Sequence, residues 1–115
     1  LRSIVAVGGV RNSGNRWFNV TWIFDGREGE PSPPREWVYA KTHLTDAEQE
    51  MGLVPGPAPG VFDLGDLRIG VAACFDVYFP EYIEALASAG IQLILSPSYQ
   101  RSEAPERIRL ISQCR

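Results

Sequence analysis

The sequence predicts an α/β fold in which helices pack on a mixed β-sheet. The first observation is a β-α-β pattern, with an apolar strand over Leu67–Cys74, a helix over Pro80–Ala89 and an apolar strand over Ile91–Leu95. Such a unit normally pairs its two strands in parallel. The second observation is that earlier apolar runs are separated by turn sequences, which is typical of antiparallel hairpins. Together, these two kinds of pairing predict a mixed sheet.

Three strands are predicted in the first 41 residues. Apolar and β-branched residues predict strands over Ile4–Val10 and Trp17–Phe24, and the Asn- and Gly-containing stretch 11–16 predicts the turn between them. Three Pro and two Gly residues in 25–35 predict an exposed loop. A short third strand is predicted over Trp37–Lys41.

The next stretch, 42–60, is predicted to be mostly irregular. A turn of helix is expected around Asp46–Met51, whereas the Pro and Gly residues in 55–60 exclude a regular element there. A strand over Val61–Leu64 then forms a hairpin with Leu67–Cys74 through a two-residue turn.

Both ends of the predicted helix over Pro80–Ala89 carry residues that are typical of helix termini. Proline suits the first helical turn, and Gly90 suits the residue after the last one. A further helix is predicted over Pro105–Arg115.

Composition narrows the class of protein. With 115 residues, 44% hydrophobic, and a net charge of −3, the chain has the balance of one small globular domain and gives no reason to expect nucleic-acid binding. No apolar run approaches the ~20 residues that cross a bilayer, so no membrane association is expected. Two cysteines do not make a disulfide framework, which favours a reduced, cytoplasmic setting. His43, Cys74 and Cys114 lack metal-ligand spacing, and no cofactor is expected.

Cys74 and Lys41 are the main candidates for chemistry. Cys74 is either a buried structural cysteine or a thiol displayed at the end of a strand, where a thiolate can attack a carbonyl or nitrile carbon. Lys41 is either a surface lysine or an ammonium that favours the thiolate and stabilises an oxyanion. Glu48 and Glu50 could turn inward to hydrogen-bond Lys41 or orient water. Because the chain has a single histidine, His43, a Cys–His thiol hydrolase is a further hypothesis.

Two sequence blocks closely resemble the carbon–nitrogen hydrolase (nitrilase) superfamily. They are Tyr39-Ala-Lys41-Thr-His43-Leu44 and Gly70-Val-Ala-Ala-Cys74-Phe75-Asp76-Val-Tyr-Phe79-Pro80-Glu81. Asn19, the Pro55-Gly56 turn and the apolar strand before Pro97 are similar to further features of that family, so the resemblance spans nearly all of the chain.

The resemblance implies a function and residue roles. Cys74 matches the family's nucleophile and Lys41 its catalytic lysine, Glu48 is the first choice for an auxiliary glutamate, and Glu50 is the second. The Phe75 N–H is expected to share the oxyanion with Lys41, and Tyr78 is a candidate substrate-binding residue. The implied reaction is hydrolysis of a non-peptide C–N bond in a small amide, nitrile or carbamoyl substrate, through a thioester.

The same resemblance implies a four-layer α-β-β-α sandwich of which residues 1–115 form one incomplete domain. The general-base glutamate of the family is expected before Leu1, so the chain alone is expected to be inactive. Homo-oligomers are also implied. The alternative from another class is a non-catalytic α/β interaction module, or a degenerate relative that only binds.

Overall fold

The computed structural model describes residues 3–98 of the chain. Within these residues, six strands and two α-helices follow one another, and a 3₁₀ turn over Cys74–Tyr78, here called the cysteine turn, precedes the second helix. The elements are β1 (Ile4–Ser13), β2 (Arg16–Asp25), β3 (Arg35–Ala40), α1 (Asp46–Glu50), β4 (Gly60–Asp63), β5 (Arg68–Val71), α2 (Pro80–Ser88) and β6 (Leu93–Leu95). No helix within residues 3–98 is long and apolar enough to cross a membrane. The helix predicted over 105–115 lies outside the described residues.

In residues 3–98 the strands form two three-stranded sheets. The first sheet has the order β1-β2-β3 and is antiparallel throughout. The second has the order β4-β5-β6, with β4 antiparallel and β6 parallel to β5. The predicted hairpins and the predicted β-α-β unit are therefore confirmed, and the second sheet is the mixed one.

The β1–β2 hairpin is longer than predicted. Both residues of its turn, Gly14 and Asn15, have positive φ, 60° and 64°. Such a two-residue turn matches the twist of antiparallel strands and needs no additional loop. The strands consequently pair as far as Ser13 and Arg16, and the prediction that the first strand ends at Val10 is wrong.

The two sheets pack face to face, and α2 covers the far side of the second sheet. A Cβ added to Gly60 would meet Val71 and the Tyr39 ring, so this face of β4 and β5 lies against the first sheet. A Cβ added to Gly70 would meet Leu86 of α2, so the opposite face lies against the helix. These layers agree with the predicted α/β class and form one hydrophobic core.

The strand that leads to the cysteine is shorter than predicted. Strand β5 ends at Val71, whereas the sequence predicted a strand as far as Cys74. The Ala72 N–H still donates to Leu95 O and the Cys74 N–H to Pro97 O, so the chain continues beside β6. The Asp76 carboxylate accepts a hydrogen bond from the Ala73 N–H. This local hydrogen bond starts the cysteine turn, so the strand does not continue.

Other boundaries shift by one or two residues. The third strand was predicted over 37–41 and runs over Arg35–Ala40, while the last was predicted over 91–95 and runs over Leu93–Leu95. Ile91 instead packs over Gly70 as the chain leaves α2. The short helix predicted near 46–51 is confirmed as α1.

A buried carboxylate ties the two sheets together at the end away from the cysteine. Asp25, 4% exposed at the end of β2, accepts hydrogen bonds from Arg27 and Arg35 at 2.7–3.1 Å. Arg35 also donates to Leu64 O, next to the β4–β5 turn. Hydrogen bonds from Arg27 outweigh burial and hold the pKa of Asp25 well below its ordinary range, so this carboxylate is ionised at neutral pH.

Candidate active site

A cleft of about 760 Å³ opens where the two sheets meet. Strands β1 and β2, helix α1 and the loops after β3, β5 and β6 contribute to its wall. Lys41, Glu48 and Cys74 all line it, together with Asn19 and Pro97. Residues far apart in the sequence thus share one solvent-accessible space.

Lys41 is the single lysine of the chain, and it is buried. It follows β3 directly, and its N–H donates to Asn19 O at 2.8 Å, which extends the β2–β3 ladder by one step. Its carbonyl accepts the Gly56 N–H at 2.9 Å. Because Asn19 and Lys41 are opposite each other on antiparallel strands, their side chains project to the same face.

Glu48 meets both of these side chains. Its Oε1 lies 2.5 Å from the Lys41 Nζ, and its Oε2 accepts from Asn19 Nδ2 at 2.8 Å. Thr45 caps helix α1 and donates to Glu48 Oε1 through both its N–H and its hydroxyl at 3.1 Å. Burial acts to raise the pKa of Glu48, but the hydrogen bonds from Lys41 and Asn19 bring it below the ordinary glutamate range. The Glu48 carboxylate is therefore ionised at neutral pH.

Glu50 has a different environment. It is exposed at the end of α1, and among the described residues it is not part of the cleft wall. Side chains two residues apart on an α-helix point in directions that differ by about 200°, so only one of Glu48 and Glu50 can face Lys41. The structure brings Glu48, and not Glu50, to the lysine.

Cys74 occupies a strained backbone position. Its φ is 48°, in the left-handed region that residues with a Cβ seldom adopt, and its side chain is half-buried against the cleft. Such strain typically costs of order 1–3 kcal/mol and is concentrated at functional sites. Within residues 3–98 no hydrogen bond uses the N–H of the next residue, Phe75.

The aromatic rings of the cysteine turn pack with one another. The Phe75 ring is 5.9 Å from the Tyr78 ring and 5.1 Å from that of Phe79, measured between centroids. Among the described residues, neither Phe75 nor Tyr78 belongs to the cleft wall. A role for Tyr78 in substrate binding therefore stays a prediction.

His43 lies behind the cysteine turn. Its ring stacks on Phe79 with centroids 4.0 Å apart, and its Nδ1 is 3.0 Å from Asp76 Oδ1. His43 is not among the described residues that line the cleft. This geometry gives no support to a Cys–His pair.

Sequence reasoning assigned no role to two side chains that hold residues of the site in place. Asn19 holds Glu48, and Asp76 holds the cysteine turn. A signal for Asp76 was present, because a carboxylate two residues after a strand-end cysteine can bind the local backbone. In the described part of the chain, no three His, Cys, Asp or Glu side chains converge as metal ligands.

The chain is similar in sequence to known amidases and nitrilases. The chain is 38% identical to the human deaminated glutathione amidase over 72 aligned positions, which cover 53% of this chain and 21% of that protein. It is 40% identical to a nitrilase of Pyrococcus abyssi over 68 positions, covering 56% of this chain and 26% of that protein. The matched part thus spans about a fifth to a quarter of these relatives.

Solved structures show the same fold. An amidase of the nitrilase superfamily from Nesterenkonia superposes with a TM-score of 0.76 at 23% identity, over 96% of this chain and 42% of that one. A cysteine-to-alanine mutant of that amidase has been solved with butyramide. The family model for carbon–nitrogen hydrolases matches residues 1–115. The chain therefore belongs to the carbon–nitrogen hydrolase family.

Proposed function

We propose that the cleft hydrolyses a non-peptide C–N bond of a small amide, nitrile or carbamoyl substrate, with Cys74 as the nucleophile. One observation carries the proposal: a strained, half-buried cysteine and a buried lysine line the same cleft. A buried ammonium stabilises nearby negative charge far more strongly than one in water.

The side chains have separate roles in this proposal. For an amide, the Cys74 sulfur attacks the carbonyl carbon, and the Lys41 ammonium and the Phe75 N–H stabilise the oxyanion that forms. The C–N bond then breaks, the amine takes up a proton and leaves, and a thioester remains. Water attacks the thioester, the acid departs and the thiol is restored.

Glu48 is proposed to hold the Lys41 ammonium in position in the cleft. Its carboxylate is held by Asn19 and Thr45 as well as by Lys41, so it is already committed as an acceptor. Because the chain matches less than half the length of its relatives, we propose that the base that takes the Cys74 proton lies in a longer parent protein, outside these 115 residues. The small amide in the Nesterenkonia structure and the amidase named among the curated relatives favour amides as the first class to test.

The reactivity of the thiol is the direct test. With iodoacetamide at neutral pH, we expect Cys74 to be alkylated at least about tenfold faster than Cys114, because Lys41 stabilises its thiolate. The measurement is a time course of alkylation, with peptide mapping by mass spectrometry. Cys114 is the internal control. Equal, slow labelling of both cysteines would favour a non-catalytic module.

The proposed position of the base outside the 115 residues leads to a second expectation. The 115-residue chain should release little or no ammonia from short aliphatic amides, while a longer parent protein that contains the same residues should release it readily. Ammonia assays of both proteins at equal concentration make the comparison, with Cys74→Ala in the parent as control. Equal turnover by chain and parent would contradict the placement of the base.

A further inference from the structure

The carboxylate of Asp76, within the cysteine turn, is fully buried. Its Oδ2 accepts from the Tyr39 hydroxyl at 2.6 Å and from the Ala73 N–H at 2.9 Å. Its Oδ1 accepts from the His43 N–H at 3.0 Å and the Thr42 hydroxyl at 3.3 Å, and His43 Nδ1 is also within 3.0 Å. A carboxylate enclosed in this way needs these donors, because burial without them is very unfavourable.

The donors come from two separate parts of the chain. Ala73 immediately precedes Cys74, whereas Tyr39, Thr42 and His43 flank Lys41 on both sides. Burial and the hydrogen bond to Asp76 raise the pKa of Tyr39 above its ordinary range, so its phenol stays a donor at all physiological pH values. One side chain thus joins the segment that carries the lysine to the turn that carries the cysteine.

We propose that Asp76 is a positioning residue that fixes the Cys74 thiol relative to the Lys41 ammonium. The inference rests on the proposed function, since it assigns the spacing of the two groups that act in it. Asp76 lines no part of the cleft that the described residues form, so it acts through the turn and not on the substrate. Catalytic groups must be held within about 0.5 Å of their working geometry, and a shift of 1 Å can cost about a hundredfold in rate.

The charge of Asp76 and its hydrogen bonds to the turn predict opposite effects on the rate of Cys74 alkylation, so the inference can be tested. Removing a nearby negative charge alone would favour the Cys74 thiolate and speed its alkylation. Loosening the turn would instead move the thiol away from Lys41 and slow it. Within residues 3–98, Lys41 and Glu48 are the charged groups that line the cleft with the Cys74 thiol. Asp76 and Tyr78 belong to its turn, and Tyr39 and His43 contact Asp76.

The test variant is Asp76→Asn in the 115-residue chain, with iodoacetamide as the probe. We expect alkylation of Cys74 at neutral pH to fall about ten- to a hundredfold, and its rate–pH profile to move to higher pH. Asp25→Asn is the matched control, because Asp25 is also a buried carboxylate with several donors but lies at the other end of the sheets. It should lower the thermal unfolding midpoint while leaving the labelling of Cys74 unchanged.

Tyr39→Phe keeps the result decisive if Asp76→Asn does not fold. This variant removes one donor to Asp76, retains the ring in the core, and should slow labelling in the same direction by a smaller factor. Unchanged or faster labelling of Cys74 in the folded variant overturns the positioning role. If wild-type Cys74 is slow and indifferent to Lys41→Met, the proposed function fails first, which is a separate result.

Discussion

Replacing Lys41 with methionine is expected to slow alkylation of Cys74 about ten- to a hundredfold at neutral pH. Methionine fills a similar volume but removes the single buried ammonium that lines the cleft with the thiol. At the effective dielectric of a protein, an ammonium within about 4 Å of a thiolate would contribute on the order of a few kcal/mol, and a ten- to hundredfold effect needs only about 1.4–2.7 kcal/mol. In a complete parent enzyme the same change should reduce amide hydrolysis at least as much, because the oxyanion also loses its cation.

A loss of stability must be separated from this loss of reactivity. Lys41→Met leaves the Glu48 carboxylate with Asn19 and Thr45 but without its cation, and breaking a buried pair typically costs about 3–5 kcal/mol. Adding Glu48→Gln removes the unpaired charge and should recover much of the stability. The double variant should nevertheless label as slowly as Lys41→Met.

The wild type, the two single variants and the double variant form a double-mutant cycle. Thermal unfolding and alkylation are measured on all four proteins. Recovery of fast labelling together with stability would show that Lys41 acts only as a structural partner of Glu48. Lys41→Arg offers a further comparison, since it retains the charge with a different shape.

Substitution of Gly56 by alanine is expected to be the most destabilising single-methyl change at the site. An added Cβ would lie 2.1 Å from the Ala40 carbonyl oxygen, a backbone atom that cannot rotate away. Gly56 also donates its N–H to the carbonyl of Lys41. The clash therefore displaces the backbone that carries the lysine, and we expect a loss of about 3 kcal/mol or more in the free energy of unfolding.

Gly8→Ala is the matched control for stability. Gly8 lies in β1, its φ is unexceptional, and the nearest atom to an added Cβ is Val20 O at 4.0 Å. Alanine there should leave the unfolding midpoint almost unchanged. Chemical denaturation of both variants gives the comparison, and equal stabilities would show that the segment around Gly56 yields without cost.

The order and type of most elements follow from local pattern. Apolar runs separated by turn residues are sufficient to predict the hairpins, and a strand followed by Pro80, a helix and a second strand is sufficient for the parallel pair. The end of β5 could not be predicted in this way. Ala72 and Ala73 suit a strand as well as a turn, and the buried carboxylate of Asp76 decides between them.

The site was predicted only in part, for a similar reason. Lys41 and Cys74 stand in recognisable blocks, but the choice between Glu48 and Glu50 stayed open because the stretch around them has little periodicity. The Thr45 cap begins α1, and the direction of each helical position then places Glu48 at the lysine.

The local sequence is enough to predict the type and order of most elements, because secondary structure depends mainly on neighbours along the chain. The three-dimensional packing was needed to show that Lys41, Glu48 and Cys74 share a cleft, and that Asp76 is buried among donors from 33 to 37 residues earlier. Those contacts form only when two separate sheets pack against each other. A local sequence pattern does not predict which residues of one sheet will face those of the other.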